Sequence, residues 1–116
     1  MSYDGQSLQN ALTQTRLDLQ QAVENWRLYG IELALAERDY RIPFRKEVFI
    51  LHESDNVKSW TSAVELARGE ETEVANLRYA RDVKKVQWMA EQERINILKI
   101  EIRIIEGDLR TGLQGH

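Results

Sequence analysis

EETEVANLRYARDVKKVQWMAEQERINILKIEIRIIEGDLR, residues 70–110, decides how this chain folds. It holds no Pro, and its one Gly is Gly107. As an unbroken helix it would reach roughly 60 Å at 1.5 Å per residue. Glu70, Glu71 and Glu73 crowd its start, where carboxylates suit the positive end of a helix dipole. At 100° per residue, Leu77, Ala80, Trp88, Ile95, Leu98, Ile102, Ile105 and Leu109 share one side, and the last five follow a 3-4 heptad alternation. Ala75, Tyr79, Val86, Met89, Ala90, Ile97, Ile100 and Ile104 lie on the other. A helix that is apolar on two opposite sides needs cover on both, and one partner helix covers only one.

Upstream, Gly69 reads as the C′ residue closing a short helix that carries Ala63, Val64, Leu66 and Ala67, with Ser59 or Thr61 as its cap. Before that, Glu53, Ser54, Asp55 and Asn56 form the clearest turn cluster. Residues 44–51 are apolar enough to be buried, as a kinked continuation of helix or a short separate one; a strand over residues 48–51 is the alternative. Pro43 disfavours helical geometry at Ile42 and removes one backbone donor.

The N-terminal part holds the second rod. Leu8, Leu12, Thr15, Leu19, Ala22, Trp26, Tyr29, Leu33, Ala36 and Tyr40 follow a strict 4-3 alternation, with Thr15 the one polar exception. This predicts a coiled-coil-like helix over about residues 8–40, capped by Ser7. Leu17, Leu28, Ile31 and Leu35 widen its apolar stripe. Gly30 costs about 1 kcal/mol relative to Ala and permits close approach of a neighbour. Residues 111–116, with two Gly, read as a flexible tail.

The expected fold is therefore all-α: two long antiparallel helices, a helical cap over residues 44–68 at the hinge, and one domain spanning residues 1–110. A two-helix hairpin has too little interior for so many apolar positions. Self-association, most simply as a dimer forming a four-helix bundle, resolves this. Leu12, Leu19, Trp26, Leu33, Ile95, Leu98, Ile102 and Ile105, with Ile97, Ile100 and Ile104 on the other face, are the candidate interface.

The 116 residues carry a formal charge of −3, 30% charged and 42% hydrophobic residues, and no Cys. That composition fits a folded helical protein and excludes disulfides, thiolate metal sites and Cys nucleophiles. The N-terminus has no basic and apolar leader pattern, and the apolar run 48–51 is far too short to span a bilayer. The mixed charge along the helices does not suit a membrane-surface helix. The expectation is a cytoplasmic protein without a membrane partner.

No arrangement of catalytic type is present. The two His are His52 and His116, there is no Glu-x-x-His pair for a di-iron bundle, and no Gly-rich phosphate loop. His52, Glu53 and Asp55 read as a solvated turn rather than metal ligands. The acid pairs Glu91/Glu93 and Glu37/Asp39 are two apart, a spacing that splays them around a helix. The reading is a non-enzyme with no cofactor.

Binding is the open question. Arg38, Arg41 and Arg45 are spaced i, i+3, i+7, and Arg78, Arg81 and Lys85 repeat that spacing; Lys46 lies beside the first set and Trp88 beside the second. A hairpin brings both sets to one end, where they could contact phosphates. Against this, residues 38–85 hold ten of the sixteen Lys and Arg but also nine acids, for a net +1. Intramolecular pairing, Arg78 with Asp82 and Arg81 with Glu73 or Asp82, is the simpler expectation. Residues 44–68 also outline helix, turn, helix, but one Arg and one Glu on the second helix make a thin recognition surface, and a structural corner fits better. Trp60, in the turn region, is the candidate aromatic anchor for a protein partner.

Asp39-Tyr40-Arg41, Ala67-Arg68-Gly69-Glu70, Val74-Ala75-Asn76-Leu77-Arg78 and the run from Ile95 through Lys99 to Ile104 carry a resemblance. Over roughly residues 32–110 the chain resembles small helical proteins encoded by tailed phages and prophages of Gram-positive bacteria, whose genes often neighbour recombination and single-strand-binding genes. The resemblance implies an early phage protein in the host cytoplasm, serving DNA metabolism or host takeover, and it carries over no catalytic residue. Three functions follow as expectations. The first is a non-enzymatic binding protein acting on a host or phage protein; the second, a nucleic-acid-binding accessory factor; the third, a coiled-coil assembly piece.

Overall fold

The computed structural model describes residues 5–53, 59–69 and 72–114. They form three helices: α1, Gly5–Glu53; α2, Trp60–Gly69; and α3, Thr72–Gln114. No strand occurs among the described residues, so the strand alternative at residues 48–51 is excluded; those residues belong to α1.

The first helix is longer than its heptad pattern indicates. It starts at Gly5, which puts the expected cap Ser7 inside it, and it continues through Pro43 to Glu53. The proline removes one hydrogen bond to the Asp39 carbonyl and crowds it, a cost of about 3 kcal/mol in a helix interior. Burial on both sides offsets this. Tyr40 and Val48 are buried, and Tyr40 stacks on Phe44 at 5.3 Å between ring centroids. Ser54, Asp55 and Asn56 of the predicted turn lie outside the described residues.

Ser59 caps α2. Its Oγ accepts a bond from the Ser62 N–H at 3.1 Å, and its carbonyl accepts one from the Ala63 N–H. Gly69, expected just beyond the helix, is its last residue. Helix α3 runs to Gln114, so most of the expected tail is helical. Hydrogen bonds between residues four apart extend it locally, Gly112 being only a weak helix former and no Pro intervening, and the Thr111 hydroxyl donates to the Gly107 carbonyl.

The described residues fall into two compact units: those within Met1–Leu28 and Met89–His116, and those within Tyr29–Trp88. In the first, α1 and α3 run antiparallel: Arg16 meets Glu106, and further along α1 Ala22 packs on Ile95 and Leu98 with Leu19 and Trp26 around them. Thr15, the polar member of the seam, is buried, and its hydroxyl donates to the Ala11 carbonyl at 2.7 Å.

In the second unit the same antiparallel sense holds. Gly30 lies against Trp88, Glu32 pairs with Lys84 at 3.2 Å, and Glu37 with Arg81 at 3.7 Å. Helix α2 packs Ala63 and Ala67 on Val48, with Phe44, Leu51, Val64 and Leu66 at the edge. Both alanines are fully buried. Small residues let α2 approach closely, and Val74 of α3 is also buried in this unit. No helix among the described residues is long and apolar enough to cross a membrane.

Candidate functional site

Within the second unit an open groove of about 440 Å³ is lined by Arg41, Arg45, Arg68, Arg78 and Arg81, with Tyr40, Phe44 and Glu37 completing it. Local helix geometry brings them there. On α1, Glu37 stands four residues before Arg41, Arg41 four before Arg45, and Tyr40 four before Phe44, so each set stacks along one edge. Arg78 and Arg81, three apart on α3, share a face. Arg68 stands in the last turn of α2, where a cation suits the helix dipole.

Five arginines thus line a groove that holds one carboxylate, and two of them, Arg41 and Arg81, reach it. Two of them are oriented by rings: Arg81 lies 4.6 Å from the Tyr40 centroid and Arg68 lies 5.9 Å from that of Phe44. Arg81 is the most restrained. Its side chain is 25% exposed, and it bonds Asp82 at 2.8 Å while facing Glu37. Arg41 reaches Glu37 only at 4.0 Å. Among the described residues, Arg45 and Arg78 have no ion-pair partner, so the expected Arg78–Asp82 pair does not form; Arg81 takes Asp82 instead. Its second acid is Glu37 of α1, not Glu73. Cations gathered this closely in a half-enclosed groove favour an anionic occupant, above all one with planar oxygen pairs that match the guanidinium fork.

Four of the eight candidate binding residues therefore meet here: Arg41, Arg45, Arg78 and Arg81. Four do not. Arg38 pairs with its neighbour Asp39. Lys46 lines a separate groove with Pro43, Glu47, Ile50 and Glu73. Lys85 is exposed outside the arginine groove. Trp60 is 51% exposed and stacks on His52 with centroids 3.5 Å apart, beside Phe49. Arg68, Tyr40 and Phe44 are the contributors that sequence reasoning missed. The i, i+4 pairs Tyr40/Phe44 and Arg41/Arg45 carry the signal once the helix is read through Pro43; Arg68 carries none, because the packing of α2 places it.

The candidate interface residues divide. Leu12, Ile95 and Leu98 are buried within the chain, while Leu19, Trp26, Leu33, Ile102 and Ile105 are half-buried there. Leu19 and Trp26 of α1 pack with Ala22 against Ile95 and Leu98 of α3 within the chain. Ile97, Ile100 and Ile104 remain exposed.

No group of three His, Asp or Glu that would hold a metal occurs among the described residues, and Asp55 of the His52 turn lies outside them. Comparison with protein-family models, with curated proteins and with solved structures finds no match to this chain.

Proposed function

We propose that this is a non-enzymatic binding protein that engages an acidic or phosphorylated segment of a protein partner through the arginine groove. The observation that carries the reading is the convergence of five arginines from all three helices of the second unit on a groove with a single carboxylate. Arg45 and Arg78, without ion-pair partners among the described residues, are the first donors to the ligand. Arg41 is the next, since its contact with Glu37 is long. Carboxylate or phosphate oxygens on these forks make charge-assisted bonds stronger than neutral ones.

Nucleic acid is the second reading, supported by the same unpaired arginines. It is weaker on one point: the ring faces that would stack bases are occupied. Tyr40 is buried beneath Arg81, and Arg68 covers Phe44. In a phage setting, which the resemblance implies, the partner would be a host or phage protein in the host cytoplasm.

Fluorescence anisotropy with labelled poly-glutamate, phosphoserine-containing peptides and single- and double-stranded DNA, at two salt concentrations, tests the reading. Saturable peptide binding that drops by about 100-fold in Arg45→Glu/Arg78→Glu, at two charged contacts of roughly 1.5 kcal/mol each, supports it. Tight DNA binding with a steep salt dependence and no peptide affinity moves the conclusion to the second reading.

A further inference from the structure

The exposed face of α3 in the first unit is a second heptad seam. Ala90, Ile97 and Ile104 are spaced by seven, and Glu93, Ile100 and Gly107 follow each by three. Ile97, Ile100 and Ile104 are 48%, 54% and 58% exposed. Three isoleucines at consecutive seam positions form the pattern that pairs with another helix, and nothing among the described residues covers them.

The charges beside this seam identify what covers it. Arg94 and Glu101 lie one heptad apart on the same flank. Glu101 has no ion-pair partner among the described residues, and Arg94 is held only by an exposed bond of 3.4 Å to Glu91. Place a second, identical helix antiparallel, with Ile97 of one copy level with Ile100 of the other. Residues that share the flank then face each other, so Glu101 meets Arg94 of the second copy, and the two-fold axis repeats the contact. Ala90 comes level with Gly107 of the second copy, two small residues that let the helix ends stay close. A parallel pairing in register instead puts two Glu93 carboxylates opposite each other on the seam, and sets Arg94 against Met89.

We infer that the Ile97/Ile100/Ile104 face of α3 binds the same face of a second copy of this chain, antiparallel, with the two-fold axis between Ile97 and Ile100. A parallel pair would also bring Arg103 and Asp108 of the two copies together, but it opposes the two Glu93 carboxylates on the seam, whereas the antiparallel pair sets each Glu93 against Ile104 and gains the Arg94–Glu101 contact twice. This goes beyond the binding reading above and does not depend on it, since the arginine groove belongs to the other unit.

Sedimentation equilibrium and disulfide trapping test it. The wild-type chain is expected to dimerise. Arg94→Glu and Glu101→Arg are each expected to weaken the dimer by about tenfold or more, and the double variant, which restores opposite charges, to recover it. Because the chain has no Cys, introduced thiols are the only ones present. Neither Ala90 nor Gly107 belongs to the buried core, and a Cβ at Gly107 meets nothing within 4 Å. A mixture of Ala90→Cys and Gly107→Cys is expected to form the mixed disulfide. Neither variant alone should cross-link quickly, because residues 90 and 90 of an antiparallel pair stand roughly 25 Å apart. A chain that stays monomeric overturns the inference, and so does rapid cross-linking of Ala90→Cys with itself or failure of the double charge variant to recover.

Discussion

At the scale of single residues, Gly30 illustrates how a position unfavourable to a helix is held by packing. An added Cβ would lie 3.2 Å from Trp88 Nε1 and 3.4 Å from Cδ1. Ala gains about 1 kcal/mol of helix propensity and loses a comparable amount by pushing the indole a few tenths of an ångström, so Gly30→Ala should leave the melting temperature nearly unchanged. Gly30→Leu has no such compensation. It should destabilise by about 2 kcal/mol or more through overpacking, read as a lower urea midpoint at unchanged slope. At the surface, the Arg27 hydrogen bond holds the Glu24 carboxyl below its ordinary value. A lowered folded-state value means that this contribution is present above the unfolded carboxyl pKa and is lost as pH falls through the folded one. Glu24→Gln should accordingly flatten the acid limb of the stability curve slightly and leave stability at alkaline pH unaffected beyond the loss of an exposed pair, which chemical denaturation across pH 2–7 would reveal. The close approach at Gly30 is legible in the sequence, because a glycine next to the seam of an otherwise regular helix leaves room for a neighbour. That Trp88 is the neighbour is not, because it depends on the register between two helices.

The instructive element is α1. Its seam from Leu8 to Tyr40 can be read directly, since ten positions repeat at coiled-coil spacing. Its passage through Pro43 cannot, because local rules oppose a helical Ile42 and only tertiary contacts outweigh them. The tertiary contact is Val48 packed on Ala63 and Ala67 of α2, and within α1 Tyr40 stacks on Phe44 across the proline. Half of the arginine groove hangs on the same continuity: Arg41 precedes Pro43 and Arg45 follows it, so a break there would part them. Pro43→Ala restores a backbone donor to an existing helix. It should stabilise the protein by about 1–3 kcal/mol, visible as a raised melting temperature with unchanged ligand affinity. A loss of stability instead would mean that the Pro43 ring, which is half-buried, contributes more by packing than it costs the backbone. Helix α2 rests on different grounds. It has ten residues, too few to persist alone, and is held by its cap and its alanine face. Ser59→Ala should remove about 1 kcal/mol.

For the molecule as a whole, the two apolar sides of α3 have unequal fates, and that difference separates folding from association. The side carrying Ile95 and Leu98 is closed within the chain; the side carrying Ile97, Ile100 and Ile104 is not. The presence of both sides is legible from residue spacing alone. Which one the chain closes on itself depends on the register of α1 against α3. The two sides should respond oppositely to an introduced charge. Leu98→Asp places a carboxylate in a site where the native side chain is only 7% exposed, and at a cost of several kcal/mol it should unfold the chain at any concentration. Ile100→Asp places the same charge on a residue more than half exposed, so the helical circular dichroism should persist. Its effect belongs to association. If copies pair through this face, the wild-type melting temperature rises with protein concentration, as it must when only the folded state associates. Ile100→Asp should abolish that rise and melt, at every concentration, where the dilute wild-type chain does. A wild-type melting temperature that is flat from micromolar to millimolar would show that this face is not closed by a second copy.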